Sequence, residues 1–260
     1  MNYSEKINKA LIEMGFESLT EIQEKSIPLL FEGKDVIGHS HTGTGKTAAF
    51  SIPILEMIDF NSDKIQALVL CPTRELAVQV RDEILRIAKY VDKAKVVAVF
   101  GGDPIRDQIF KLKKKPQIIV GTPGRTIDHI NRKTVRLDNL KFMILDEADE
   151  MLKMGFQEDI ETIFNATPKT KQTLMFSATM PKPILNLAKN YMNDAELVKV
   201  VREEVTNKDV KQYFYNVRQS NKVEALSRIL TVYHPKLTLV FCNTKRRVDE
   251  VAQALIDRGY

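Results

Sequence analysis

Short runs rich in Val, Ile and Leu alternate along this chain with longer stretches in which apolar residues recur every three or four positions. The short runs fall at 35–39, 66–71, 95–100, 117–121, 141–146, 173–177 and 197–201. Their near-continuous apolar character predicts strands buried on both faces, as in a parallel sheet. Between them, Ile7, Leu11 and Met14, and then Leu76, Val80, Ile84 and Ile87, recur at helical spacing and predict helix faces turned toward that sheet. The alternation predicts an α/β fold, a parallel sheet covered by helices.

Residues 202–211 (REEVTNKDVK) lose the apolar period and gain charge. They predict a domain at 1–203, a linker at 204–211 and a second, shorter domain at 212–260. The second domain reads as strand (QYFYNV), helix (NKVEALSRILTVY), strand (LTLVFC) and a helix running to Tyr260. Such a βαβα unit is about half of a doubly wound domain. Its open strand edge and apolar helix faces lead us to expect self-association.

Composition narrows the classes. Hydrophobic residues make up 43% and charged residues 28%, ordinary for a water-soluble globular chain. No run of about 18 apolar residues occurs, and the opening MNYSEKINKA lacks a secretory profile, so we expect a cytoplasmic protein without membrane contact. Cys71 and Cys242 lie in apolar runs without metal-ligand spacing and read as core. The net charge of +5 suits a polyanionic partner.

Two segments carry chemistry. The run DVIGH leads into SHTGTGKT and then an apolar helix. Glycines at Gly43 and Gly45 let the backbone of Thr42, Gly43, Thr44 and Gly45 approach phosphate oxygens, with a helix N-terminus behind them. In this pattern Lys46 sits on the β and γ phosphates and Thr47 on Mg²⁺, which makes ATP and Mg²⁺ the expected cofactors. Ser40 stands where the strict pattern has glycine. The second segment is KFMILDEADEML, whose apolar strand ends in Asp146, a second anchor for Mg²⁺ partly through water, and Glu147, a base for the attacking water. A glycine turn and an acidic helix start each have a structural reading. Together they point to a nucleotide hydrolase with Lys46, Asp146 and Glu147 as its catalytic residues.

Asp146-Glu147-Ala148-Asp149 spells the signature of the DEAD-box ATP-dependent RNA helicases, and the surrounding segments resemble that family in order and spacing. GFESLTEIQ resembles its adenine-reading segment, which implies that Gln23 bonds the adenine edge with Phe16 packed nearby. PTRELAVQ, with Pro72, Thr73 and Arg74, the pair Gly101-Gly102, and TPGR, with Thr122, Gly124 and Arg125, resemble its RNA-contacting segments. Ser177-Ala178-Thr179 resembles the element that, with Asp149, couples hydrolysis to unwinding. LVFCNT, ending at Thr244, resembles the first RNA-side motif of a second domain. The resemblance implies a RecA-like P-loop NTPase domain followed by the first part of another. It also implies largely sequence-independent binding of RNA by its backbone and unwinding of short RNA duplexes.

The residues fit that implication independently. PTRE and TPGR each follow a predicted strand, which places both loops at the carboxyl edge of the sheet, where Thr73, Thr122, Gly124 and Arg125 can hold phosphates. Arg74 with Glu75 reads equally as RNA contact or as an ion pair bracing the loops. KLKKK at 111–115 reads first as a solvated helix end and second as an extension of the RNA surface. His129 and His234 read as structural or exposed. Departures from the family include His41 and Leu19, an adenine-stacking aromatic position that would precede Met1, and no HRxGR or ARGxD run. We therefore expect this chain to bind ATP and RNA while hydrolysing ATP poorly. A second reading is an ATP-gated RNA clamp or scaffold without turnover.

Overall fold

A computed structural model describes residues 3–41, 43–200 and 210–260. The chain divides into two compact units, Met1–Glu203 and Glu204–Tyr260. The linker expected at 204–211 falls, but for 210 and 211, outside the described residues.

Each of the seven short apolar runs forms a strand: β1 (Val36–Ser40), β2 (Ala67–Leu70), β3 (Val96–Val99), β4 (Ile118–Gly121), β5 (Phe142–Leu145), β6 (Gln172–Ser177) and β7 (Glu196–Val200). They pair parallel in one sheet of order β3-β4-β2-β5-β6-β1-β7. The helices are α1 (Glu5–Glu13), α2 (Glu21–Phe31), α3 (Lys46–Met57), α4 (Arg74–Ile87), α5 (Ile105–Leu112), α6 (Pro123–Asn131), α7 (Ala148–Lys153), α8 (Gln157–Asn165) and α9 (Lys182–Tyr191).

Alternation along each strand splits the core into two layers. Ala67 and Val69, with Val36, Ile144, Leu174 and Phe176, pack with side chains of α1 to α4. Leu68 and Leu70, with Ile37, Met143, Leu145 and Met175, pack with those of α7 to α9. The inner strands are buried on both faces and therefore read as unbroken apolar runs, whereas edge strand β7 leaves Glu196, Leu197 and Lys199 exposed. At Gly38 a Cβ would lie 2.4 Å from the Phe176 ring, so only glycine lets β1 and β6 approach this closely.

The second unit corrects an expectation. It contains a short 3-10 turn (Gln219–Asn221), α10 (Lys222–Tyr233) and α11 (Lys245–Ile256). The segments 212–217 and 237–242, expected to be strands, form no ladder, and Tyr213, Phe214, Leu239 and Phe241 are exposed. A parallel pair is stable only with neighbouring strands and cover on both faces, and the described residues of this unit supply neither. Helices satisfy their own backbone, so α10 and α11 form regardless. Tyr260 Oη donates to Ser227 O at 2.8 Å, and an apolar cavity of about 400 Å³ lies against Val223, Leu226, Val240, Phe241 and Val251. Among the described residues no helix is long and apolar enough to cross a membrane.

Candidate functional site

Because every strand is parallel, all seven carboxyl ends lie on one edge of the sheet, where ligands bind in open α/β folds. The strand order sorts that edge into two halves. Strands β5, β6 and β1 are adjacent and end in Asp146–Asp149, Ser177–Thr179 and the glycine loop; β3, β4 and β2 are adjacent and end in Gly101–Gly102, Thr122–Arg125 and Pro72–Arg74.

In the first half, Gly45 caps α3 with φ of +89°, a left-handed conformation open to glycine. Thr42 lies outside the described residues. Ser40 is tolerated because its hydroxyl turns toward the loop, where Thr44 Oγ1 lies 3.2 Å away, while Thr44 Oγ1 also donates to His41 O at 3.0 Å. Lys46 is buried at the start of α3, and among the described residues its Nζ makes only a long 3.5 Å contact, to Ser40 O. Thr47 follows in the same first turn.

Asp146 directly follows β5, and its buried side chain has an Oδ1 without a hydrogen-bond partner among the described residues. Burial pushes its carboxyl up to about 6, opposed by the Lys46 ammonium and reinforced by the Glu147 charge. A buried carboxylate and a buried ammonium, both short of partners, fit a magnesium–triphosphate, which would supply a cation to one and phosphate oxygens to the other. Glu147 adopts φ 54° and ψ 51°, a left-handed conformation uncommon for a non-glycine residue and shared here with Lys93, Lys115, Lys133, Asp194 and His234, which have positive φ. It leaves Glu147 half-buried between β5 and α7.

The residues expected to couple hydrolysis to unwinding lie together. Asp149 is buried on α7 and accepts from Thr179 Oγ1 at 2.7 Å, while Ser177 Oγ donates to Thr179 O at 2.7 Å. Burial raises the Asp149 carboxyl, but bonds from the Thr179 and Ser177 hydroxyls and the Ala178 backbone outweigh it and hold it below the usual range. His39 Nε2 lies 3.1 Å from Ala178 O, so β1 touches the same turn.

Gln23, expected at the adenine, makes two bonds within the chain. Its buried amide accepts from Thr20 N at 2.9 Å and donates to Gly45 O at 2.9 Å, while Thr20 Oγ1 donates to Thr44 O at 2.8 Å. Two residues at the start of α2 therefore clamp the glycine loop, and each end of the amide keeps one further hydrogen-bonding position. Phe16 packs against the core beside α1 and α2.

In the second half, the Thr73 hydroxyl caps α4 by accepting from Leu76 N, whereas Thr122 stands at the N-cap position of α6 without a side-chain cap bond, with Pro123 at the first helical position. Gly101, Gly102 and Gly124 are exposed. Arg74 is not paired with Glu75: its Nη1 binds Asp103 Oδ1 at 2.6 Å and its guanidinium lies 4.9 Å from the Phe100 ring centroid. Arg125 Nη1 donates to Asp103 O at 3.1 Å. Beneath, Gln108 Nε2 donates to Phe100 O, and buried His129 lies between Gln108 Oε1 (3.2 Å) and Thr134 Oγ1 (2.8 Å). The Phe100–Asp103 turn thus ties all three loops together. Thr244 lies in the second unit, where it caps α11 by accepting from Arg247 N at 3.2 Å.

Sequence reasoning missed Asp103, Thr20 and His39. Asp103 follows the glycine pair directly, and Thr20 with Gln23 has the Thr-x-x-Gln spacing of a helix cap, so both left a trace. Cys71, read as core, is fully buried.

The sequence pattern of the DEAD/DEAH box helicase family matches residues 20–187. This chain belongs to that family. The DEAD-box relatives include proteins named ATP-dependent RNA helicase CshA from Listeria monocytogenes, 52% identical over 98% of this chain and 49% of that protein, and DEAD-box ATP-dependent RNA helicase CshA from Geobacillus kaustophilus, 52% identical over 100% of this chain and 56% of that protein. The chain spans about half the length of these curated relatives. Among solved structures, a DEAD box protein from Methanococcus jannaschii superposes with a TM-score of 0.74 at 46% identity, covering 100% of this chain and 70% of that one. A hypothetical ATP-dependent RNA helicase from Sulfolobus tokodaii gives 0.71 at 35% identity, covering 97% and 72%.

Proposed function

We propose that this chain is the ATP-binding half of an ATP-dependent RNA helicase, holding ATP-Mg²⁺ at the loop between β1 and α3 and single-stranded RNA along the loops after β2, β3 and β4. The observation that carries this reading is one sheet edge presenting an under-partnered Lys46–Asp146 pair beside three loops braced on Asp103. Lys46 and the amides of residues 43–47 hold the phosphates, and Thr47 and Asp146 anchor the metal. When bound, Mg²⁺ offsets charge on the β and γ phosphates. Glu147 orients water toward the γ-phosphate and takes its proton. Thr179 and Ser177, held on Asp149, transmit the change at the phosphates to the neighbouring turn.

On the RNA side, Thr73, Thr122, Gly124 and Arg125 contact phosphates, with Pro72, Arg74, Gly101 and Gly102 shaping the track. Backbone contact implies little base preference and strong salt dependence. Unwinding of short duplexes is assigned to the longer polypeptide typified by the relatives; this chain alone binds both ligands and turns over slowly, with Thr244 on the second unit's RNA side. The same reading places the protein in the cytoplasm and has the exposed Phe214, Leu239 and Phe241 drive self-association.

The test is Glu147→Gln under single-turnover conditions with RNA present. ATP-Mg²⁺ affinity should stay within about twofold while hydrolysis falls at least about 100-fold. Undiminished hydrolysis would remove Glu147 as the base. No hydrolysis by the unmodified chain, with ATP still changing its RNA affinity, would favour the clamp.

A further inference from the structure

Helix α5 begins two residues after Asp103, whose carboxylate and carbonyl hold Arg74 and Arg125. Its inward side buries Gln108 and Leu112. The opposite side carries Arg106, Phe110 and Lys113, spaced four and three residues apart on one stripe, followed by Lys114 in the turn beyond. Phe110 is 66% exposed, unusual for a phenylalanine on a polar helix surface, and Lys114 Nζ lies 6.0 Å from its ring centroid. Among the described residues Arg106, Lys111, Lys113 and Lys114 have no carboxylate within 4.0 Å, whereas Lys115 is paired with Asp63. The stripe therefore combines an open aromatic face with cations not committed to internal ion pairs.

We propose that this stripe is a further binding site for single-stranded RNA, continuing the track past the glycine pair, with Phe110 stacking a base and Arg106, Lys113 and Lys114 holding phosphates. The proposal rests on the RNA reading of the loops at 72–74, 101–102 and 122–125. At about 1.5 Å per residue, Arg106 to Lys114 spans about 12 Å, room for about three stacked bases. Aromatic stacking interleaved with cations is how proteins hold single strands without sequence preference. Charge decides against a protein partner as first choice: the stripe and its flanks carry Arg106, Lys111, Lys113 and Lys114 against Asp107 alone.

The test is fluorescence anisotropy of the whole chain with labelled RNA of about six and about fifteen nucleotides, the shorter filling only the loop track. Phe110→Ala should weaken the longer RNA roughly five- to tenfold and leave the shorter within about twofold, with Phe110→Trp restoring affinity. Joint Lys113→Glu and Lys114→Glu substitution should lower the salt slope for the longer RNA by about 1.4. Phe110 is exposed, so equal melting temperatures are expected and report an intact fold. Unmodified affinity of Phe110→Ala for both lengths overturns the extension and leaves the loop track standing, pointing the stripe to a protein surface instead. Equal weakening for both lengths also overturns it. Failure of the unmodified chain to bind either RNA overturns the loop track and the extension together.

Discussion

Replacing Gln23 separates the adenine contact that the family resemblance implies from its bond to the glycine loop. The side chain is buried and both ends of its amide are used, by Thr20 N and by Gly45 O, each at 2.9 Å. Gln23→Ala removes both bonds, each contributing about 1 kcal/mol net, and vacates the space beside Gly45, where a Cβ would stand only 2.4 Å from Nε2. A total loss of about 2–3 kcal/mol follows, or a fall in melting temperature of roughly 5–10 °C for a unit of this size. Because one bond holds the glycine loop itself, phosphate binding should suffer as well as base recognition. If about 1–2 kcal/mol of the loss reaches the bound state, affinity falls roughly five- to thirtyfold. The assay is calorimetric titration with ATP and, separately, with inorganic tripolyphosphate, which has no base. Both should weaken. Gln23→Glu keeps the acceptor for Thr20 N but sets a buried carboxylate oxygen against Gly45 O, so it should melt no higher than Gln23→Ala and bind tripolyphosphate at least as weakly. Unchanged tripolyphosphate affinity in both variants would refute the clamp and leave Gln23 an adenine contact alone.

Two further outcomes are expected. Arg74→Ala and Asp103→Ala should each weaken RNA binding a few-fold and prove non-additive by roughly 0.5–1 kcal/mol in a double-mutant cycle, with little change in melting because the ion pair is partly exposed; additive effects would break the link between the two loops. Burial, with the Arg125 charge, holds the His129 imidazole below its ordinary 6.5. The folded state therefore refuses a proton that the unfolded state accepts, so this contribution is intact above pH 6.5 and is lost as pH falls through the window between the unfolded and folded values, by up to about 1.4 kcal/mol per pH unit. Denaturant titrations from pH 7.5 to 5 should show that slope reduced in His129→Asn; equal slopes would exclude His129 as its source.

The strands of the first unit were legible because a parallel strand covered on both faces must be apolar throughout, and runs such as ALVL and FMIL carry that requirement locally. The glycine loop between β1 and α3 was legible as a turn for a similar local reason: Gly43 and Gly45 both adopt positive φ, which favours glycine wherever the rest of the chain lies. The segments at 212–217 and 237–242 have the same composition as strands but find no ladder, because strand formation depends on neighbours that composition does not encode. Pairing was likewise outside its reach. Arg74 beside Glu75 suggested a local ion pair, yet the folded chain brings Asp103 to within 2.6 Å, since α4 carries the two side chains apart while the turn after β3 rises beside Arg74. Gln23 could be singled out by its spacing, but not its second bond, to Gly45 O in a loop brought alongside only when α2 packs on α3. Local sequence determined which segments become strands and helices in the first unit and which loops are candidates for chemistry, because those properties depend on residues close together in the chain. The tertiary structure alone decided which charges are paired, which carboxylate is left buried without a partner, and which aromatic stays exposed beside the candidate RNA track, because each depends on residues that only folding brings together.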